Sequence, residues 1–170
     1  MEHSVATILG RVASLHLHPA TPGADFTDVT EMQLVAQKGI EGNPRYFAKR
    51  NLAGQPSRRQ VTLIERGVIA EHAARLALAS IPPGKVRSNI ETEGINLVPL
   101  IGQTIRIGSA VLYLYDRRTP CAKMDAICPG LRKQMENGQQ GVLAQVIESG
   151  RIAVGDPIVS VCDLVSAGKD

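Results

Sequence analysis

At 170 residues the chain is long enough for one core, and 44% hydrophobic with 21% charged residues rules out wholesale disorder. With two Phe, three Tyr and no Trp, the core must be aliphatic and stacking platforms for single-stranded nucleic acid are scarce. A net charge of +3 is too weak to imply a nucleic-acid partner, and no segment approaches the ~20 apolar residues of a membrane helix. Residues 1–10 lack the basic start and apolar run of a secretory signal, so a soluble cytoplasmic protein is expected. The odd set Cys121, Cys128 and Cys162 argues for reduced thiols rather than a disulfide framework.

Ile8–Leu17 reads as a strand, followed by a turn at Pro19–Gly23. Val29–Gln37 reads as a second strand, broken by Gly39. The stretch 39–59, GIEGNPRYFAKRNLAGQPSRR, has no apolar periodicity and five Lys or Arg. It predicts a long basic loop, a feature that is uncommon in compact domains and often functional. Gln60–Ile64 is a short buried strand. Ile69, His72, Ala73, Leu76 and Ala77 then fall at helical spacing, which predicts a helix over Glu65–Ser80 stopped by Pro82-Pro83-Gly84. Val86–Glu91 is a polar strand or turn.

Gln103–Ile107 and Ala110–Tyr115 form a hairpin through Gly108–Ser109. Arg117–Cys121 turns at Pro120, and Cys121–Met135 predicts a helix interrupted near Pro129–Gly130. Gly141–Ser149 is a strand, Gly150 turns, Arg151–Ala153 begins another, and Ile158–Val161 follows the turn Gly155-Asp156-Pro157. Short strands between glycine turns, with few helices, predict an α+β fold: a mainly antiparallel β-barrel with peripheral helices. Nothing marks a boundary, so residues 1–170 are expected as a single domain.

The turn Asp116-Arg-Arg-Thr-Pro-Cys121 carries the strongest chemical signal. A cysteine at a helix N-terminus beside Arg117, Arg118 and Lys123 is favoured as thiolate, the form that attacks electrophiles and binds soft metals. A buried, inert thiol is the plain alternative. Cys128 could resolve an oxidised Cys121 but suits helix packing better, and Cys162 reads as structural. His16 and His18 face one side of a strand; without a third ligand, exposed or edge histidines suit them better than a metal site. His72 reads as a satisfied packing residue. No G-x-S-x-G, P-loop or G-x-G-x-x-G is present. Arg58, Arg59, Arg87, Arg117, Arg118 and Lys123 all sit in or beside turns, either as solvated charges or as a shared anion site.

Taken in order, R-Q-V-x-L-I (from Arg59), R-x-N-I-x-x-x-G (from Arg87), L-x-G-x-x-I-x-I-G (from Leu100), P-C (Pro120-Cys121) and G-x-I-x-x-G-D (from Gly150) resemble the MOSC domain, named for the C-terminal domain of molybdenum-cofactor sulfurases. The likeness runs over roughly Gly39–Val161. It implies a β-barrel-rich fold that binds molybdenum cofactor (molybdopterin) in the barrel mouth, with Cys121 as molybdenum ligand or persulfide carrier. Arg59, Arg87 and Asn89 are the cofactor-binding residues that the resemblance implies, and Arg117, Arg118 and Lys123, the cations beside Cys121, are expected to join them. Pyridoxal phosphate binding is associated with the family as a whole. In place of the family's G-x-x-G-D and following histidine, the chain has Gly42-Asn43-Pro44-Arg45. No aminotransferase-like segment is recognisable for mobilising sulfur. The implied function is a small molybdenum oxidoreductase that reduces N-hydroxylated bases or related compounds, a small-molecule substrate, with electrons from separate donor proteins. The alternative is a non-redox carrier of sulfur or cofactor on Cys121. Neither nucleic acid nor membrane is an expected partner.

Overall fold

The structure, a computed structural model, describes residues 6–161. Cys162 lies outside them. The elements run β1 (Ile8–Leu17), β2 (Thr27–Val29), β3 (Glu31–Val35), β4 (Gly39–Ile40), β5 (Val61–Glu65), α1 (Arg66–Arg75), β6 (Ile90–Glu93), β7 (Thr104–Ile107), β8 (Ala110–Arg117), α2 (Lys123–Ile127), α3 (Leu131–Gln134), β9 (Val142–Glu148), β10 (Gly150–Ala153) and β11 (Pro157–Ser160). Seven strands close a barrel in the order β11-β7-β8-β9-β5-β6-β1, with β1 returning to β11. The fold is α+β, and every barrel pairing is antiparallel except β5 with β6, which α1 joins as a crossover. β2 extends the sheet beyond β1, and β10-β3-β4 form a second small sheet.

Closure rests on β1. Its first residues pair with β11 and its middle with β6, and the register shifts between Ile8 and Gly10 and between Val12 and Ser14. Such bulges bend and twist a strand enough to serve two neighbours at a barrel seam. The interior is aliphatic, as the low aromatic content requires. Val12, Leu15, Val61, Leu63, Ile90, Ile105, Leu112 and Val142 belong to one buried cluster. Along β5 the alternate residue Ile64 points the other way. It joins Ile69, Ala73, Val86, Met124, Leu131 and Met135 in a second cluster, which seats the three helices on the outside of the barrel.

α1 ends at Arg75, short of the predicted Ser80. Ala77 takes φ +55°. The Leu78 N–H then donates to the Ala73 carbonyl at 2.8 Å and the Ala77 N–H to that of Ala74 at 3.2 Å, which closes the last turn as a Schellman motif with alanine where glycine is usual. The prolines at 82 and 83 therefore follow an end already made. The predicted strand or turn at 86–91 resolves into a loop leading to β6, and Gly150 begins β10 rather than turning before it. The 39–59 stretch is loop-rich, holding only β4 and an isolated bridge between Arg50 and Pro56.

Gly141, just before β9, has φ +79°, and a Cβ there would run into the Leu63 carbonyl oxygen and lie 2.9 Å from the Ile64 Cα. The Gly141→Ala variant should lose at least about 2 kcal/mol of stability, through left-handed strain and the clash together. Chemical denaturation of the two proteins checks this.

Candidate functional site

Several chain segments meet where strands of the barrel begin and end. His18 follows β1, Phe26 precedes β2, Tyr46 lies in the 39–59 loop, Arg59 and Arg87 precede β5 and β6, and Arg118 and Cys121 follow β8. Four of these side chains and Phe26 form a row. The Arg87 guanidinium lies 4.8 Å from the Phe26 ring centre, Phe26 is 4.3 Å from His18, His18 is 4.5 Å from Tyr46, and Tyr46 is 5.2 Å from the Arg59 guanidinium. Each end of the row is a cation held over an aromatic face, where the ring quadrupole attracts it.

Arg118 is the unusual member. It is buried, and among the described residues it forms no ion pair. Its one side-chain hydrogen bond among the described residues is a 3.5 Å donation from Nη1 to the Val86 carbonyl, while its backbone N–H donates to the Gly141 carbonyl at 3.0 Å. Burial pushes its pKa down to about 10, Arg59 and Arg87 press in the same direction, and Cys121 and Tyr46 oppose them. It remains a guanidinium at neutral pH. A buried charge without a counter-charge is costly, and an incoming anion relieves that cost.

Arg87 adopts φ +61°, a conformation non-glycine residues rarely take. Its N–H donates to the Gly84 carbonyl at 3.1 Å and its Nη1 to the Ala24 carbonyl at 2.9 Å. The strain sits where the guanidinium has to be aimed.

His18 is half-buried between Phe26 and Tyr46. Asn43 Oδ1 accepts both its backbone N–H at 2.8 Å and its Nδ1–H at 3.0 Å. Burial lowers the imidazole pKa to about 4, against the raising effect of the Asn43 bond, and Arg118, Arg87 and Arg59 lower it further. The ring is neutral at physiological pH.

The structure brings Arg59, Arg87, Arg118 and Cys121 into one electrostatic neighbourhood. Cys121 is exposed. Cys121 directly precedes Ala122, the N-cap of α2, so it lies near a helix N-terminus as expected; that helix is only five residues long, and the arginines add the larger local positive charge. Asn89 lies behind the site rather than in it. Its Oδ1 accepts from the Thr62 N–H and hydroxyl, both at 3.1 Å, and its Nδ2 donates to the His16 carbonyl at 3.1 Å. It ties β5, β6 and β1 together beneath His18. Arg117 turns away, packing where a Gly138 Cβ would lie 3.0 Å from its Cδ. Arg58 also points elsewhere, over Tyr115 at 4.3 Å and to Gln145.

Lys123 lines a neighbouring cleft of about 530 Å³ with Lys85, Ile81, Ala126 and Arg87, and Arg87 is the residue shared with the cluster. The barrel interior is packed with aliphatic side chains, and the candidate residues sit outside that core, on the turns that leave β1 and β8 and enter β5 and β6.

His16 is buried, not exposed. Its Nδ1 lies 2.7 Å from Asp28 Oδ1 and its Nε2 2.8 Å from Ser14 Oγ, with Glu91 at 3.5 Å. His16 and His18 share no partner that could make them joint ligands, and no group of three His, Cys, Asp or Glu suited to a metal occurs among the described residues. His72 is buried and satisfied by the Gln139 carbonyl at 2.7 Å. Cys128 packs half-buried beside Pro129.

Compared with known proteins, the chain matches the MOSC domain over residues 28–159. It belongs to the MOSC domain family. No curated protein matches it. Among solved structures, the YUAD protein from Bacillus subtilis is similar with TM-score 0.75 and 17% identity, covering 93% of this chain and 100% of that one. YiiM from Escherichia coli is similar with TM-score 0.63 and 20% identity, over 94% of this chain and 71% of that one. YiiM from Geobacillus stearothermophilus gives TM-score 0.62 and 18% identity, over 96% and 78%. These likenesses establish the MOSC fold. The sequence pattern does not mark Phe26, Tyr46 or Asn43 as site residues, and it offers His18 only as an exposed or edge histidine. The available signal was scarcity: with two Phe and three Tyr in the chain, one of each flanks this histidine.

Two expectations follow for this MOSC site. The His18 imidazole should titrate by NMR with a midpoint near pH 4. Because that value lies below the ordinary 6.5, the unfolded chain takes up this proton first, so the ring's contribution to stability is present above pH 6.5 and declines as pH falls towards 4. Asn89→Ala should cost about 2–4 kcal/mol in urea unfolding, because the Thr62 N–H and the His16 carbonyl lose their partner.

Proposed function

We propose that this MOSC protein binds molybdenum cofactor and acts as a small oxidoreductase on N-hydroxylated bases or related compounds. The observation that supports this most is Arg118, a buried guanidinium with no ion-pair partner among the described residues, set beside Arg59, Arg87 and an exposed thiol. The donor set suits the group. The arginines would hold the phosphate, since guanidinium matches phosphate oxygens in a bidentate fork. Cys121 would supply the soft ligand that a thiophilic metal favours. The orphaned Asn43 Nδ2, buried and without a partner, is a spare donor beside His18.

When bound, such a cofactor supplies two-electron removal of oxygen from an N–OH group, which consumes two protons and releases water. The protein's own part is to fix the anionic tail at Arg118, keep Cys121 in reach of solvent and substrate, and offer a neutral imidazole between two rings. Electrons come from a separate donor protein, and the cytoplasm is the compartment this chemistry suits. No helix among the described residues is long and apolar enough to cross a membrane.

Two variants test the reading. Arg118→Met should retain full stability or gain some, because it removes an uncompensated buried charge, yet weaken pterin retention about 10- to 150-fold. Cys121→Ser should keep pterin and lose turnover of an N-hydroxylated base. Wild-type cofactor content and activity in both variants would sink the assignment. Sulfane sulfur on Cys121 without molybdenum would favour the carrier reading instead.

A further inference from the structure

The arginines explain why an anion would bind, but not which one. His18 adds a second requirement. Asn43 Oδ1 accepts the His18 backbone N–H, a group that can only donate, so this oxygen is correctly placed as an acceptor. The same oxygen lies 3.0 Å from Nδ1. Nδ1 therefore carries the proton, and the neutral ring keeps its lone pair at Nε2. The Asn89 Nδ2 sits farther from Nδ1, at 3.4 Å against 3.0 Å for Asn43 Oδ1, so the shorter contact sets the tautomer. Nε2 has no hydrogen-bond partner among the described residues. Phe26 and Tyr46 hold the ring plane from either side. The anion site thus contains one fixed lone pair among its cations, and one unpaired donor, Asn43 Nδ2, buried next to it.

We propose that His18 makes this pocket selective for oxyanions that carry a proton, accepting a P–O–H hydrogen bond at Nε2 while the other oxygens face Arg118, Arg59 and Arg87. The ligand class is hydrogen phosphate or a phosphate monoester in its singly protonated form. Sulfate has the same shape and no proton at neutral pH. It would set an oxygen lone pair against the Nε2 lone pair, and a site built around one hydrogen bond rejects an analogue that cannot make it. Protonating the ring to suit sulfate is opposed by the three arginines that surround it and by its burial. The inference rests on the reading of the arginine cluster as an anion pocket and goes beyond it by naming the protonation state that the pocket accepts.

The test is calorimetric titration of inorganic phosphate and of sulfate into the full chain, isolated from cells that make no molybdenum cofactor, near pH 7.5. Wild type should prefer phosphate by at least about tenfold. His18→Phe, which keeps a ring between Phe26 and Tyr46, should bring the ratio close to one by weakening phosphate alone. His18→Gln, whose amide can turn to donate or accept, should also bind both anions alike, and it covers the case in which the phenyl ring perturbs packing. Equal affinities in wild type, or a preference that survives both substitutions, would overturn the role of His18 and leave the anion pocket standing. Binding of neither anion to wild type would overturn the pocket itself and the selectivity with it.

Discussion

A guanidinium taken out of water without a carboxylate to meet it is a standing electrostatic deficit, and Arg118 is in that position. It lies in the turn after β8 against the loop before β6, and Arg59 and Arg87 add charge of the same sign. The fold holds it there through backbone contacts: the Arg118 N–H on Gly141, and Gly141 pressed so closely on β5 that no side chain fits. Barrel closure through the bent β1 fixes the other half of the site, because His18 leaves the end of that strand beside the start of β6. The cations are thus positioned by strand ends, a placement that needs no mutual attraction among them.

Around that deficit the remaining residues divide into two kinds. Asn89, Thr62 and His16 are fully engaged with one another and with the backbone, and they give the floor its rigidity. Arg59, Arg87, Cys121 and the Asn43 amide nitrogen keep unspent binding capacity. Cation–π contacts hold Arg59 and Arg87 over rings without neutralising them, so their charge stays available to a ligand. The site proposed for this MOSC protein is therefore the place where the fold leaves Arg118 without a counter-charge and the Asn43 amide nitrogen without a partner among the described residues.

Much of the barrel is legible in the sequence. The alternating Gln103–Ile107 and Ala110–Tyr115 segments and their Gly108 link appear as β7 and β8. The parallel pairing of β5 with β6 was not legible, because both strands are short and buried and the pattern of such runs carries no direction. Helix length failed at Ala77, where a local left-handed cap overrides a periodicity that continues past it. At the site, Arg59, Arg87, Arg118 and Cys121 were legible through their motifs. Arg117 was grouped with Arg118 by adjacency, although neighbours on an extended chain point to opposite sides. The row from Arg87 to Arg59 joins five side chains from three separate loops, so only the topology reveals it.

The most direct measurement is the molybdenum and pterin content of the full chain purified from cells competent to make the cofactor. Close to one molybdenum and one pterin per chain are expected. A well-folded protein carrying neither would contradict the proposed cofactor binding.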